Sequence, residues 1–511
     1  MSEVVLRFAP SPTGPLHIGG VRTALFNYLY AKKHNGRFIL RIEDTDRTRF
    51  VPGAEEYIIE ALKWLGIEFT EGVHLDGPVG PYRQSDRNAA GLYRQYADQL
   101  VNDGHAYYAF DTSEELDAMR ERLKAEGSSV QQYNALTRGS MRNSLSLPED
   151  EVQRILASDT PYVIRMKMPE KESVTFYDHV RDDVVFDTEQ LDDKILLKSD
   201  GMPTYHLANV VDDHSMGITH VIRGEEWLSS TPLHVLLYRG LGWEDSMPQF
   251  AHLPLILNPN GVGKMSKRQG DKLGFSVFPT TWEDPESGKA SSGYREDGYL
   301  PEALLNFLAL LGWNPGNDEE IMSAERLTEL FDLPRIVSKG ATFDIDKLKW
   351  FNQTYIKEKK PLDLLPLVRP LWEAAGYALP DDPDFETGVI EMLQERVTVL
   401  PDFVSSSAYF FAPPAEYDAK MSKKRWKDDS PELMQALLAA FKACDHWNSE
   451  ALHGAFEQLI KEREIGAGRV LAPLRLALTG IPAGPGAFDI AALLGEEETV
   501  RRIERAIEQL G

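Results

Sequence analysis

Two hydrophobic patterns alternate along the first 70 residues. Apolar runs at 4–10 and 37–44 have the length and composition of β-strands, whereas apolar residues at helical spacing predict helices over 21–35 and 53–66. A Gly- and Pro-rich loop separates the first strand from the first helix. This order of elements is typical of the start of a parallel α/β sheet, which binds ligands at the carboxyl ends of its strands.

The pattern changes after residue 85. Helical spacing continues to about residue 157 and is followed by four strand-like runs, at 162–168, 174–180, 183–187 and 194–200. Alternation of strands and helices resumes at residue 203. After about residue 300 the strand pattern almost disappears, and helical periods with Pro- and Gly-rich joints remain.

These changes predict a multidomain α/β protein. A chain of 511 residues is too long for a single core. The predicted parts are the first half of a Rossmann-type parallel sheet, an α+β insertion that splits this sheet, its second half, a connecting region and an all-helical region with two subdomains that meet near residue 385. Their bounds are 1–85, 86–202, 203–260, 261–330 and 331–511.

Composition narrows the function classes. The chain has 80 acidic and 55 basic side chains and a formal net charge of −25, which argues against binding of nucleic acid through bulk charge. A polyanionic partner must therefore meet local basic patches. There is no run of 18 apolar residues and no apolar leader, so we expect a cytoplasmic protein without a membrane span. The single cysteine, Cys444, excludes an internal disulfide and a multi-cysteine metal site.

The loop SPTGPLHIGG (11–20) has the features of a phosphate-binding site. Gly14, Gly19 and Gly20 let the backbone approach a ligand closely, and His17 lies where the loop enters a helix. Free backbone N–H groups and the helix dipole favour an anion at such a position. The loop therefore predicts an anion site, and a purely structural turn is the alternative.

A nearly identical pentapeptide occurs twice, as KMSKR at 264–268 and as KMSKK at 420–424. Two lysines three residues apart can face one polyphosphate, and Gly261 and Gly263 make the first copy a mobile loop. The first copy follows a strand-like run in the second half of the sheet, so we expect it near His17. The second copy is interpreted as a helix or loop surface, and contact with a nucleic-acid backbone is left open for it.

Five segments together resemble one known family in order and spacing: RFAPSPTGPLHIGGVRTALFNYL, RIEDTDRTR, PTYHLANVVDDH, GEEWLSSTP and KMSKR. The family is the bacterial glutamyl-tRNA synthetases, which are class I aminoacyl-tRNA synthetases with a Rossmann catalytic domain. Its glutaminyl relatives end in β-barrels, whereas the last third of this chain reads all helical. The resemblance implies a glutamate–tRNA ligase that activates L-glutamate with ATP and transfers it to the 3′-terminal adenosine of tRNA(Glu), with bound tRNA needed for activation.

The resemblance also implies the residues that handle ATP. His17, Lys264 and Lys267 stand in the HIGH and KMSKS signatures and are the implied catalytic residues, although Gly20 replaces the second histidine and Arg268 the last serine. Magnesium would arrive with the ATP, and no protein-held metal is implied. The implied ATP-binding residues are Ser11, Gly14, His17, Gly19, Gly20, Trp227, Lys264, Ser266 and Lys267.

A second implied set would bind glutamate. Arginine presents a planar fork of donors that suits a carboxylate, and a carboxylate side chain would hold the ammonium group, the role implied for Glu43. A structural ion pair between Arg7 and Glu43 across adjacent strands is the alternative. The implied residues are Arg7, Ser11, Glu43, Tyr205, Asn209 and Arg223.

The remaining implications concern tRNA and zinc. The insertion would bind the acceptor end, region 261–330 would contact the stem, and the helical region would bind the anticodon, with Arg396 at the last anticodon base or, alternatively, a plain surface arginine. Some family members hold zinc in the insertion, but AYYAFDTSEEL has no cysteine, so we expect no bound zinc and packing of Tyr107, Tyr108 and Phe110 in its place. The family also implies a monomer. Charging of tRNA(Gln) and a role for the polar loop 288–297 do not follow from the sequence.

Three other functions are alternatives to this one, and each disagrees with some feature of the sequence. Shorter relatives modify a tRNA base with activated glutamate, but they lack the helical region. A catalytically silent paralogue that binds tRNA or protein would be expected to lose His17 or a signature lysine, and all are present. A small-molecule adenylyltransferase shares the His-containing loop but not the insertion and the helical region.

Overall fold

A computed structural model describes residues 3–128 and 131–511 and divides into two compact units. The first unit extends to residue 296 and resumes over 304–345, and the second comprises 297–303 and 346–511. Apart from residues 297–303, the helical unit begins at residue 346, and the five-part division of the chain stays a prediction. None of the helices in the described part of the chain combines the length and apolar character needed to cross a membrane.

The first unit contains every strand of the described residues. The strands are β1 (Val5–Phe8), β2 (Arg37–Leu40), β3 (Glu71–Gly72), β4 (Ala106–Ala109), β5 (Val163–Met166), β6 (Ser173–Asp178), β7 (Asp182–Asp187), β8 (Ile195–Leu197), β9 (His220–Gly224), β10 (Gln249–Leu253), β11 (Ile256–Leu257), β12 (Trp282–Glu283), β13 (Ala290–Ser291) and β14 (Ala341–Thr342). The helices up to the second unit are α1 (Ile18–Lys33), α2 (Ala54–Trp64), α3 (Gln84–Ala89), α4 (Leu92–Asn102), α5 (Ser113–Ala125), α6 (Glu149–Leu156), α7 (Tyr205–Ser215), α8 (Thr231–Gly240), α9 (Lys267–Leu273), α10 (Pro301–Ala309) and α11 (Ala324–Leu330).

A parallel sheet forms the centre of the first unit. Strands β3, β2 and β1 pair in parallel, and β9, β10 and β6 form a second parallel set. The backbone N–H of Thr219, just before β9, donates to the carbonyl of Val5 in β1 at 2.9 Å, so the two sets adjoin. Because these strands run in one direction, β1, β2, β9 and β10 all end at the same edge, where open α/β sheets bind ligands.

The predicted insertion is divided between two sheets. Strands β4, β5 and β8 form a separate antiparallel sheet, but the β6–β7 hairpin extends the central sheet by parallel pairing of Asp178 with Phe250 of β10. The expected aromatic packing is present in the separate sheet. Tyr107 and Phe110 are buried and Tyr108 is half-buried, and the Tyr107 hydroxyl donates to Asp193 at 2.6 Å.

The first helix begins earlier than its pattern predicts. It starts at Ile18 instead of residue 21, because the His17 side chain accepts a hydrogen bond from the Gly19 N–H and caps the first turn. Histidine is not among the usual N-cap residues, so the sequence pattern predicts a loop for HIGG. The last turn carries Lys32 and Lys33, which suit the negative end of the helix dipole.

Gly36 is required by close approach of two strands. A Cβ built on it would lie 2.1 Å from the carbonyl oxygen of Val4, next to the N–H of Arg37 that donates to this same carbonyl at 2.9 Å. We expect Gly36→Ala to lower the free energy of unfolding of the first unit by about 1–3 kcal/mol, because β1 and β2 must separate. Gly139→Ala is the control in the same unit, since its added Cβ meets no atom within 4 Å. Urea unfolding measures the free energy of unfolding of both variants. Equally small decreases in the two variants would contradict the prediction.

The second unit is helical. Its helices are α12 (Ile345–Glu358), α13 (Pro361–Ala374), α14 (Pro383–Leu393), α15 (Asp402–Phe411), α16 (Ala419–Arg425), α17 (Ser430–Lys442), α18 (Ser449–Glu462), α19 (Gly468–Thr479) and α20 (Ala487–Leu510). They enclose a core of their own that includes Trp372, Phe441 and Ile503. After residue 300, one short strand departs from the predicted helical pattern: β14 pairs in parallel with β11 and belongs to the first unit. A two-residue strand has no alternation to reveal it. The predicted fold class, a parallel α/β part followed by a helical part, is confirmed.

Candidate functional site

One open cavity of about 1200 Å³ lies at the carboxyl ends of β1, β2 and β9. Two predicted site residues lie elsewhere: Gly14 lines an adjoining cavity of about 410 Å³, and Arg396 is in the second unit. The adjoining cavity shares Ser11, His17 and Lys267 with the large one. The predicted residues that line the large cavity are Arg7, Ser11, His17, Gly19, Gly20, Glu43, Tyr205, Asn209, Arg223, Trp227, Lys264, Ser266 and Lys267.

His17 presents one free donor at this site. Its Nδ1 accepts the Gly19 N–H at 3.2 Å, which places the proton of the neutral ring on Nε2. That Nε2 is buried and has no hydrogen-bond partner within the described chain. Burial, aided by the charge of Lys264, lowers the pKa of His17 to about 4. At neutral pH the ring is therefore an uncharged donor, and its unsatisfied N–H favours an acceptor such as a phosphate oxygen.

The backbone at the start of α1 does not act as the sequence suggested. The N–H groups of Ile18, Gly19 and Gly20 donate to the Val277 carbonyl, to His17 Nδ1 and to the His17 carbonyl, respectively. The expectation of free amides for a phosphate is therefore wrong at these three positions. Gly20 is needed for packing, since an added Cβ would lie 2.6 Å from Leu16 Cδ1. The side chain of His17 is the donor that this helix start offers.

The first KMSKR copy is anchored rather than loose. Lys264 forms a bridge to Leu257, and the buried Met265 donates its N–H to the Ile256 carbonyl at 2.9 Å. Ser266 occupies the N-cap position of α9 without a side-chain hydrogen bond to the helix, and Lys267 is its first residue. Gly261 and Gly263 adopt φ values of 74° and 75°, the left-handed region that the turn before Lys264 requires. The segment thus holds both lysines on a defined backbone at the edge of the cavity.

Phe278 connects the lysine segment with the histidine loop. The Lys267 ammonium lies 5.6 Å from the centre of its ring, and the His17 ring meets it edge-on at 6.3 Å. Lys264 instead pairs with Glu226 at 2.8 Å. Both partners of that pair are exposed, so it contributes at most about 1 kcal/mol and is easily exchanged for a phosphate.

Arg223 is a buried cation with neutral partners. Its Nε donates to His252 Nε2 at 3.0 Å, and its Nη1 donates to the Tyr205 hydroxyl at 2.8 Å. Its Nη2 donates to the Thr231 hydroxyl at 3.0 Å. Longer contacts of 3.4 Å reach His234 Nδ1 and the Trp227 carbonyl. Among the described residues no carboxylate forms an ion pair with Arg223, although it is only 5% exposed. A buried, unpaired charge is costly, so this position favours an anionic ligand.

Arg7 and Glu43 belong to a network that the sequence did not indicate. Arg7 pairs with Asp213 at 3.0 Å, and Arg41 pairs with Asp213 at 2.7 Å and with Glu43 at 3.0 Å. The alternative of a direct Arg7–Glu43 pair is therefore wrong. Asn209 also donates to Glu43 Oε1, at 3.3 Å, which leaves Oε2 for another donor. Arg41 also lies 3.8 Å from Asp212, which pairs with Arg87 at 2.6 Å. The three arginines of this network balance its three carboxylates and leave the charge of Arg223 unpaired.

The arginines of this network and the burial of its carboxylates together shift the pKa values of Asp213 and Glu43. Burial would raise the pKa of Asp213, but Arg7 and Arg41 outweigh it, and the pKa lies below its usual value. For Glu43 burial prevails over Arg41 and Arg7 and raises the pKa. A cationic group beside Glu43 would favour its ionised form. This suits an ammonium ligand.

Two features of the second unit bear on its partners. Arg396 is exposed after α14, and its charge adds to the effect of burial in lowering the pKa of Arg475. The second copy of the pentapeptide forms α16, with Lys420, Lys423 and Lys424 exposed, which confirms its interpretation as a surface.

In the residues that the structure describes, no group of three His, Cys, Asp or Glu side chains is arranged to hold a metal ion.

Known proteins match the whole chain. The family "tRNA synthetases class I (E and Q), catalytic domain" matches residues 3–350, and "Anticodon binding domain" matches residues 363–507. The glutamate–tRNA ligase of Phocaeicola vulgatus is 54% identical over the full length of both chains, and that of Porphyromonas gingivalis is 53% identical over 100% of this chain and 99% of its own.

A solved structure agrees with these matches. The glutamate tRNA ligase from Elizabethkingia meningosepticum, crystallised in complex with its amino acid, is 47% identical and covers 100% of both chains with a TM-score of 0.94. Identity at this level over complete chains establishes the family and not merely the fold. The chain belongs to the class I tRNA synthetases of the glutamate and glutamine group, within the glutamate–tRNA ligases.

Proposed function

We propose that this chain ligates L-glutamate to tRNA(Glu) in two steps at the large cavity. A glutamate α-carboxylate oxygen attacks the α-phosphorus of ATP, and the bond from this phosphorus to pyrophosphate breaks. The 3′-terminal ribose hydroxyl of tRNA(Glu) then attacks the glutamyl carbonyl, and AMP leaves. The observation that carries the proposal is the meeting of His17, Lys264, Lys267 and the unpaired Arg223 in one cavity. Full-length relatives named as glutamate–tRNA ligases support it.

In this proposal His17, Lys264 and Lys267 stabilise the charge that develops on the phosphates. His17 contributes the neutral Nε2–H, and the two lysines contribute positive charge, with Lys267 and His17 both in contact with Phe278. No covalent bond to the protein forms, so orientation and electrostatic stabilisation account for the rate. Magnesium enters as part of the ATP substrate. Ser11, Ser266 and Trp227 line the same space and would contact the nucleotide.

Glutamate recognition follows from the charges of the cavity. Arg223 would exchange its two 3.4 Å contacts for the side-chain carboxylate of the substrate and keep Tyr205 as a neutral neighbour. Arg7 would use Nη1, since its Nε and Nη2 are engaged with Asp213. Glu43 would bind the ammonium through Oε2, with Asn209 holding its other oxygen. Glutamine would leave the Arg223 charge without an anionic partner, which provides discrimination.

The tRNA would contact both units. The separate sheet of β4, β5 and β8 lies within the insertion proposed to bind the acceptor end, and region 261–330 within the part proposed to meet the stem. Arg396 is proposed to contact the last anticodon base, supported by its exposure and by the anticodon-binding family match over 363–507. The resemblance supports a monomer acting in the cytoplasm, with activation dependent on bound tRNA.

A charging assay with labelled glutamate and total tRNA tests the proposal. We expect glutamate to become attached to tRNA only when ATP is present. Glutamine in place of glutamate should give no product. Removal of the 3′-terminal adenosine from the tRNA should abolish attachment, because this adenosine is the proposed acceptor. Attachment to tRNA without that adenosine would instead indicate modification of a base, and absence of any product would contradict the proposed function.

A further inference from the structure

A chain of hydrogen bonds behind Arg223 has no part in the proposed contacts with substrate. Asp178, at the end of β6, and His252, in β10, are both fully buried, and His252 Nδ1 lies 2.6 Å from Asp178 Oδ2. His252 Nε2 accepts the Nε–H of Arg223 at 3.0 Å on the other side of the ring. The chain therefore runs from a carboxylate through an imidazole to the guanidinium. We propose that Asp178 and His252 are positioning residues that orient Arg223 for the side-chain carboxylate of glutamate.

The tautomer of His252 is the basis of this proposal. An ionised carboxylate can only accept hydrogen bonds, so Nδ1 of His252 must carry the proton that faces Asp178. Nε2 of the neutral ring is then bare and accepts from Arg223 Nε–H. The opposite tautomer would set two N–H groups against each other and turn the guanidinium away. Burial and the charge of Arg223 lower the pKa of His252 to about 4 against the opposing effect of Asp178, so the ring is neutral near pH 7.

Asp178 is itself held by backbone donors. Its Oδ1 accepts the N–H groups of Val180 at 3.0 Å, Arg181 at 3.1 Å and His252 at 3.3 Å. These bonds fix which oxygen faces the imidazole. Together with the hydrogen bond from His252, these backbone bonds outweigh the effect of burial. The pKa of Asp178 therefore lies below its usual value. The β6–β7 hairpin, which the sequence pattern assigned to the insertion, thus supplies the residue that sets the orientation of Arg223 in the central sheet.

Asp178→Asn is a near-isosteric test. The three backbone N–H groups require the amide oxygen at the Oδ1 position, so the NH2 group of the new side chain must face His252. His252 would then take the opposite tautomer. The inference rests on the proposed function, and glutamate-dependent ATP–pyrophosphate exchange with tRNA present measures it. We expect KM for glutamate to rise roughly tenfold or more, the effect of losing one hydrogen bond to a charged group, with KM for ATP within about twofold.

A second substitution separates positioning from folding. Glutamine at position 252 can present its amide oxygen to Arg223 whatever residue is at 178, so His252→Gln should lose less than Asp178→Asn. The double variant should behave like His252→Gln alone. Asp193→Asn is the matched control, because Asp193 is also fully buried but binds Tyr107 in the separate sheet. We expect it to affect thermal stability and leave KM for glutamate unchanged.

Three results would overturn the inference. They are an unchanged KM for glutamate in folded Asp178→Asn, equal losses for ATP and glutamate, and losses that multiply in the double variant. Failure of the proposed function looks different. In that case the unmodified chain shows no glutamate-dependent exchange at all.

Discussion

Replacing Lys267 by alanine should reduce ATP–pyrophosphate exchange by about 10²–10³-fold, the usual effect of removing one donor that stabilises developing charge. Lys267 begins α9 and lies over the ring of Phe278, which the ring of His17 also contacts edge-on. Loss of this ammonium therefore removes positive charge beside the proposed position of the phosphates. Exchange rates at saturating glutamate and tRNA give the measurement.

Lys423→Ala is the matched control for this experiment. Lys423 occupies the corresponding place in the second pentapeptide, on the exposed surface of α16 in the helical unit. We expect the exchange rate of this variant to stay within about twofold of the unmodified chain, as for a surface substitution away from the reacting groups. Similar losses in both variants would show that the wrong copy has been assigned to the phosphates.

Arg223→Gln should reduce kcat/KM for glutamate by about 10²–10³-fold, corresponding to about 3–4 kcal/mol. Arg223 is a buried cation without an ion pair among the described residues, and the glutamate carboxylate would become buried without a partner if the charge were removed. KM for ATP should change little, because the donors proposed for the phosphates lie in other segments. Amino-acid-dependent exchange over a range of glutamate concentrations separates these two parameters.

Arg165→Gln provides a control with equal loss of charge. Arg165 is also buried, but it lies in β5 over the ring of Tyr133, at 4.2 Å from the ring centre. The substitution Arg165→Gln should lower the melting temperature without a specific effect on kcat or KM for glutamate. An unchanged kcat and KM for glutamate in Arg223→Gln would remove this arginine from the substrate pocket.

The sequence predicted the main architecture because its periodicities were long. Helical spacing in the last third and the strand–loop–helix order at the start each extend over many residues, and both are present in the structure. It failed where the deciding interactions are not local. The β6–β7 hairpin alternates like a strand pair of the insertion, and only its pairing with β10 shows that it belongs to the central sheet.

The candidate site was predicted less completely than the fold. Motif resemblance brought thirteen residues to one cavity, yet it did not indicate Arg41 and Asp213, which hold Arg7 and Glu43 in place. The sequence does not show whether an arginine is buried or exposed. Asp213, the partner of Arg41, is also far from it in the sequence. Asp178 and His252 were missed because neither lies in a recognised segment and their contact is made across two strands.

The hydrogen bond between His17 and Gly19 makes the start of the first helix sensitive to acid. His17 Nδ1 can hold the first turn only while it lacks a proton, as the contact with Gly19 requires. A proton at this atom, near pH 4, would remove the hydrogen bond from the Gly19 N–H and place a second cation next to Lys264. Protonation of His17 in acid would therefore remove a helix cap and add positive charge at the edge of the cavity proposed to face the phosphates.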